Sequence, residues 1–78
     1  MTFTVYSKDG CPYCETVKRV LLGKDLIFTE YKLDVDFDRD SFYNEFGEGS
    51  TFPQVVMDDK KLGGCQDTVK YLVEQKII

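Results

Sequence analysis

Histidine is absent from the 78 residues, and cysteine occurs only three times, at positions 11, 14 and 65. With so few thiols and no imidazole, neither a four-cysteine nor a two-cysteine, two-histidine zinc site can be assembled within one copy of the chain. Three cysteines also fall short of the even-numbered, disulfide-dense pattern of small secreted scaffolds, so a reducing compartment fits better. Positive charge is in deficit: ten lysines and arginines stand against fourteen aspartates and glutamates, a net charge of −4. That balance repels phosphate backbones and anionic lipid, which makes nucleic acid and membrane surfaces poor partners. No apolar run approaches the ~20 residues that cross a bilayer. Met1 to Tyr6 alternate polar and apolar types without the basic flank of a secretory leader. A soluble, cytoplasmic protein is expected. Repeats and low-complexity tracts are missing as well.

What is present suits a small packed domain. Hydrophobic residues make up 42% of the chain, with six phenylalanines and five tyrosines, while 31% charged residues keep the outside solvated. The length leaves room for one domain, expected over residues 1–78. Phe3 to Ser7 alternates with period two and stops at the turn-forming Lys8-Asp9-Gly10, which predicts a strand. Val17, Val20 and Leu21 recur at helical spacing up to Gly23. Ile27 to Leu33 alternates again, with Ile27, Thr29, Tyr31 and Leu33 on one face and Phe28, Glu30 and Lys32 on the other. Strand, helix, strand in so short a span forces the two strands parallel. Asp34 to Asp40 reads as an acidic turn, and Phe42, Tyr43 and Phe46 as one short helical face ended by Gly47-Glu48-Gly49. Val55-Val56-Met57 and Lys60-Lys61-Leu62 across Asp58-Asp59 predict a hairpin. Val69, Leu72, Val73 and Ile77 predict a final amphipathic helix. The expected fold is α/β, a small mixed four-stranded sheet flanked by three helices in the order β-α-β-α-β-β-α.

Cys11-Pro12-Tyr13-Cys14 stands between a strand and an amphipathic helix, the context that makes a C-x-x-C segment a redox motif. With Cys11 just ahead of the helix and Cys14 in its first turn, the two sulfurs are close enough to bridge. Pro12 then falls where a missing N–H costs nothing. Unpaired N–H groups and the positive end of the helix dipole favour a thiolate at Cys11, the expected nucleophile. Cys14, inside the helix, acts second. Lys8, three residues upstream, adds positive charge near the sulfur and can hold a substrate carboxylate. A purely structural bridge over so short a loop would remove little unfolded-state entropy.

Thr51-Phe52-Pro53 precedes the third strand. Base rate favours a trans bond before Pro53, since only ~5–6% of such bonds are cis. A cis bond would instead turn the Phe52 backbone outward, where a peptide-like substrate could pair with it. Gly63-Gly64-Cys65-Gln66-Asp67 allows close backbone approach and puts Asp67 in the first turn of the last helix. Asp67 reads either as a helix-start carboxylate that complements the dipole or, if that helix start faces the thiol, as a partner for an ammonium beside a carboxylate held on N–H groups. Cys65 reads as a partly buried small residue at the helix start.

Together the dithiol segment, Thr51-Phe52-Pro53 and Gly63-Gly64-Cys65-Gln66-Asp67 resemble glutaredoxins, over the whole chain in length and element order. The resemblance implies a thioredoxin-like fold and a glutathione-dependent thiol–disulfide oxidoreductase with Cys11 and Cys14 catalytic. It implies glutathione as co-substrate, no tightly bound cofactor or metal, and disulfide-containing or glutathionylated proteins as partners of a monomer. It also implies a cis Pro53. In that family's pattern Lys8, with Arg39 ranked below it, would face the glycyl carboxylate, and the Phe52 backbone would pair with the cysteinyl unit. Cys65, Gln66 and Asp67 would hold the γ-glutamyl end, with Tyr13, Thr51, Pro53 and Gly64 completing the groove. Phe52 stands where the family usually has valine, which predicts a bulkier groove wall. One rival role is a small redoxin fed by thioredoxin reductase that donates electrons to ribonucleotide reductase; Lys8 and Gly63 to Asp67 argue against it. Another is an iron–sulfur carrier with a cluster ligated by Cys11 of two copies and two glutathiones, against which the rigid Pro12 argues.

Overall fold

Phe3, Val5 and Ser7 alternate with Thr4 and Tyr6. In the computed structural model of residues 1–78 they form strand β1 (Phe3–Ser7), the first set buried and the second half-buried. The chain continues as α1 (Pro12–Gly23), β2 (Phe28–Lys32), α2 (Arg39–Phe46), β3 (Gln54–Met57), β4 (Lys60–Gly63) and α3 (Cys65–Glu74). The sheet runs β2-β1-β3-β4. β1 pairs with β2 in parallel and with β3 antiparallel, and β3 pairs antiparallel with β4 across the Asp58-Asp59 turn. This is the expected mixed sheet: the crossover through α1 makes β1 and β2 parallel, and β1 is an inner strand because it pairs with both β2 and β3.

Three details differ from the periodicity reading. β2 is shorter than 27–33, and Ile27 stands 86% exposed before it. Its inward face is Phe28, Glu30 and Lys32, which the register places beside the buried Phe3, Val5 and Ser7 of β1. A carboxylate is tolerated there because Glu30 accepts hydrogen bonds from Ser7 Oγ at 2.6 Å and Lys18 Nζ at 2.7 Å. In α3 the buried line is Cys65, Thr68 and Leu72, whereas Val73 is 55% exposed. The helix stops at Glu74. Ile77 and Ile78 return their N–H groups to the Leu72 carbonyl and pack on the core. The third difference is Phe37, inside the acidic turn, whose ring stacks at 5.7 Å on Phe42 and meets Tyr6 edge-on at 5.5 Å.

Helix α2 forms as predicted. Asp38 caps it by accepting the Ser41 N–H at 2.8 Å, and Phe42 is its buried residue. Val17 and Leu21 of α1 and Leu72 of α3 meet Val5 and Val55 in the aliphatic core. Phe42 and Phe46 of α2 instead meet the rings of Phe37 and Tyr6.

Candidate active site

The turn at Gly10, with φ +68°, swings the chain from β1 into α1. Cys11 takes the capping position in an extended conformation, and its Sγ accepts the Cys14 N–H at 3.2 Å. Pro12 follows in the first turn, where its missing N–H leaves no bond unmade. Cys11 and Cys14 are joined as a disulfide with their Cα atoms 5.2 Å apart. Cys11 is 7% exposed and Cys14 0%, so what solvent access the pair has lies on Cys11, the residue expected to react first. Tyr13 stands exposed beside them.

An open groove of about 390 Å³ runs from Tyr13 between segment 51–54 and segment 63–67. It brings together Tyr13, Thr51, Phe52, Pro53, Gly64, Cys65, Gln66 and Asp67, every residue expected there except Lys8 and the lower-ranked Arg39. The Phe52–Pro53 bond is cis, so the trans base rate does not hold here. The isomer depends on the surroundings of the buried Pro53, which a base rate does not see. The Phe52 N–H and C=O make no backbone hydrogen bond. Gly64 caps α3 without a side chain, which leaves the first N–H groups of the helix open. Gly63 has φ +100°, and a Cβ there would meet Asp67 Oδ2 at 2.9 Å, so only glycine lets the carboxylate sit where it does. Sequence reasoning passed over Gln54, whose Nε2 donates to the Thr51 carbonyl at 2.9 Å. Its place directly after Pro53 was the available signal.

Lys8 lies outside the groove lining, with its Nζ 5.5 Å over the centroid of the Phe52 ring. That ring stacks on Phe42, centroids 4.2 Å apart and planes within 12°. Much of the bulk expected to thicken the groove wall is therefore taken up by the aromatic layer. Arg39 is not in the groove lining either; its guanidinium donates to the Tyr43 hydroxyl at 3.4 Å. Cys65 lines the groove but its residue is only 8% exposed, and burial pushes its thiol pKa up, which opposes a nucleophilic role.

Ser7, Glu30 and Lys18 form a polar group on the side of the sheet that carries α1. The Lys18 and Ser7 hydrogen bonds hold the Glu30 carboxyl below its ordinary range, and Glu30 holds the Lys18 ammonium above its own. This group was also missed, although Lys18 stands one helical turn beyond Cys14 and Ser7 is in phase with Phe3 and Val5.

A family model described as Glutaredoxin matches residues 3–62. The chain belongs to the glutaredoxin family. It is 32% identical over 68 residues to Glutaredoxin 1 of Rickettsia prowazekii, covering 85% of this chain and 72% of that one. It is 34% identical over 64 residues to Glutaredoxin 3 of Escherichia coli K12, covering 81% and 76%. Among solved structures, Glutaredoxin 1 from Francisella tularensis complexed with cacodylate superimposes with a TM-score of 0.80 at 28% identity, over 97% of this chain and 95% of that one. A buckwheat glutaredoxin–glutathione complex superimposes with a TM-score of 0.79 at 27% identity, over 95% and 70%. The fold is thus the thioredoxin-like fold of glutaredoxins, and Cys11 and Cys14 are the redox-active dithiol of a thiol oxidoreductase.

Proposed function

We propose that this glutaredoxin is glutathione-dependent, reducing glutathione mixed disulfides and protein disulfides through Cys11 and Cys14. The observation that carries the reading is the groove beside the dithiol. It offers an unpaired peptide unit at Phe52, open N–H groups at the start of α3 and the Asp67 carboxylate. These suit a short peptide bearing a free carboxylate and a free ammonium. The Phe52 backbone pairs with the cysteinyl unit between the walls made by Thr51 and Pro53. N–H groups of Cys65 and Gln66, approached closely over Gly64, take the γ-glutamyl carboxylate, and Asp67 takes the ammonium. Lys8 receives the glycyl carboxylate, and Tyr13 borders the sulfur. The buckwheat relative was crystallised with glutathione, which supports the same ligand here.

On reduction, the Cys11 sulfur sits at the positive end of α1, where a thiolate is favoured. It attacks the glutathione sulfur of a mixed disulfide, and the substrate leaves as a thiolate that takes a proton from solvent. A glutathione thiolate then attacks the glutathione sulfur bonded to Cys11, forming glutathione disulfide and freeing the Cys11 thiolate. With a protein disulfide, Cys11 bonds to one substrate sulfur, and the Cys14 thiolate attacks Cys11 to release the reduced protein. The resulting Cys11–Cys14 disulfide is returned to the dithiol by two glutathiones. Glutaredoxins as a class lie near ~−200 to −230 mV, within reach of cellular glutathione.

The test is turnover of a small glutathione mixed disulfide coupled to glutathione reductase and NADPH. Cys14→Ser should retain this activity and lose reduction of protein disulfides, while Cys11→Ser should lose both. If thioredoxin reductase with NADPH restores the dithiol and glutathione does not, the redoxin reading replaces this one.

A further inference from the structure

Lys8 has no carboxylate within ion-pair distance, unlike Lys18, Lys32, Lys61 and Lys70. Its contact is the Phe52 ring, 5.5 Å from Nζ to centroid, inside the ~6 Å over which an aromatic face attracts an ammonium. Phe52 is in turn held against the buried Phe42 ring. Phe52 therefore serves two places at once, lining the groove and presenting a π surface to the one lysine of the Cys11 loop. An aliphatic side chain at position 52 could line the same groove but would offer the cation nothing.

We propose that Phe52 is a positioning residue: its ring, braced by Phe42, holds the Lys8 ammonium beside the groove so that a substrate carboxylate meets a cation already in place. The proposal rests on the glutathione reading above and adds to it a determinant of affinity that resides in a side chain. The physical reason is entropic. A free lysine must surrender rotamer freedom when it pairs with a bound ligand, and the ring restricts that freedom before the ligand arrives. A cation–π contact at an exposed site is weak, so the ammonium can lean from ring to carboxylate without a large penalty.

A double-mutant cycle on Phe52→Leu and Lys8→Gln tests this, with a glutathionylated peptide turned over by glutathione, glutathione reductase and NADPH. Phe52→Leu is expected to raise KM roughly two- to five-fold, with the loss falling on KM rather than kcat. Lys8→Gln should raise KM further, and the double variant no further than Lys8→Gln alone. Phe52→Tyr, which keeps the ring, should restore KM. Equal effects of Phe52→Leu with and without Lys8, or no rescue by Phe52→Tyr, overturn the proposal and leave glutathione turnover standing. If the wild-type protein does not turn over with glutathione, the functional reading fails instead. The ring-current shift of the Lys8 ε-methylene protons then still decides the contact: a shift lost in Phe52→Leu supports it, and no shift in the wild type overturns it.

Discussion

Val5 and Tyr6 are neighbours in β1, yet their side chains enter two layers built from different chemistry. On the Val5 side, Val17, Leu21, Val55 and Leu72 are fully buried in a mainly aliphatic core under α1 and α3, with Phe3 as its one buried ring. On the Tyr6 side, the rings of Phe37, Phe42 and Phe46 meet one another under the eight-residue α2, and of these Phe42 alone is buried. Branched aliphatics interlock densely, so removing one leaves a void. Rings at half-exposed positions contribute through paired faces and edges as much as through burial. The active site draws on both layers: α1, which carries the dithiol, rides on the first, and Phe52 stacks into the second.

If the aliphatic layer supplies stability and the aromatic layer shapes the groove, substitutions in the two should separate. Leu21→Ala should have the largest effect on folding, about 2–5 kcal/mol by urea denaturation, against a total of roughly 4–12 kcal/mol for a domain of this size. Turnover per folded molecule should be unchanged. Phe42→Leu should cost less, about 1–2 kcal/mol for a lost ring pair and part of its burial, and yet lower kcat/KM because Phe52 loses its brace. Equal kinetic losses in both variants would dissolve the distinction.

The smallest effect is expected at Glu30, a carboxylate on the aliphatic side. Its carboxyl is held below the ordinary value of 4.5, first by Lys18 and then by Ser7. A depressed folded-state pKa adds stability that is complete above the unfolded value and is lost as pH falls through the folded one. Glu30→Gln should therefore lower stability at neutral pH by about 1 kcal/mol or less, since the group is partly solvated. The gap between variant and wild type should close on acidification below the ordinary carboxylate range. A constant gap from neutral to strongly acid pH would remove Glu30 from the list of stabilising groups.

Much of the site was readable in advance. Cys11, Pro12 and Cys14 lie within one helical turn, and that turn makes their geometry a local property. Gly63 to Asp67 were readable for the same reason. Lys8 was expected near a substrate carboxylate, but its contact with Phe52 joins two separate loops and leaves no mark in either. The buried line of α3 was misjudged because Thr68 looks polar, yet its hydroxyl is turned back at the Gly63 carbonyl 3.5 Å away.

Residue order alone was enough for the succession of strands and helices, the turns between them and the capping of α1 by Cys11, since these depend on neighbours within about four positions. Folding in three dimensions decided which side of β2 faces inward, the cis form before Pro53, and the pairing of Lys8 with Phe52. Those outcomes depend on groups that meet only when the sheet has assembled, as when Ser7 reaches Glu30 across 23 positions of chain. Local periodicity cannot report which distant partner will satisfy a charge or brace a ring.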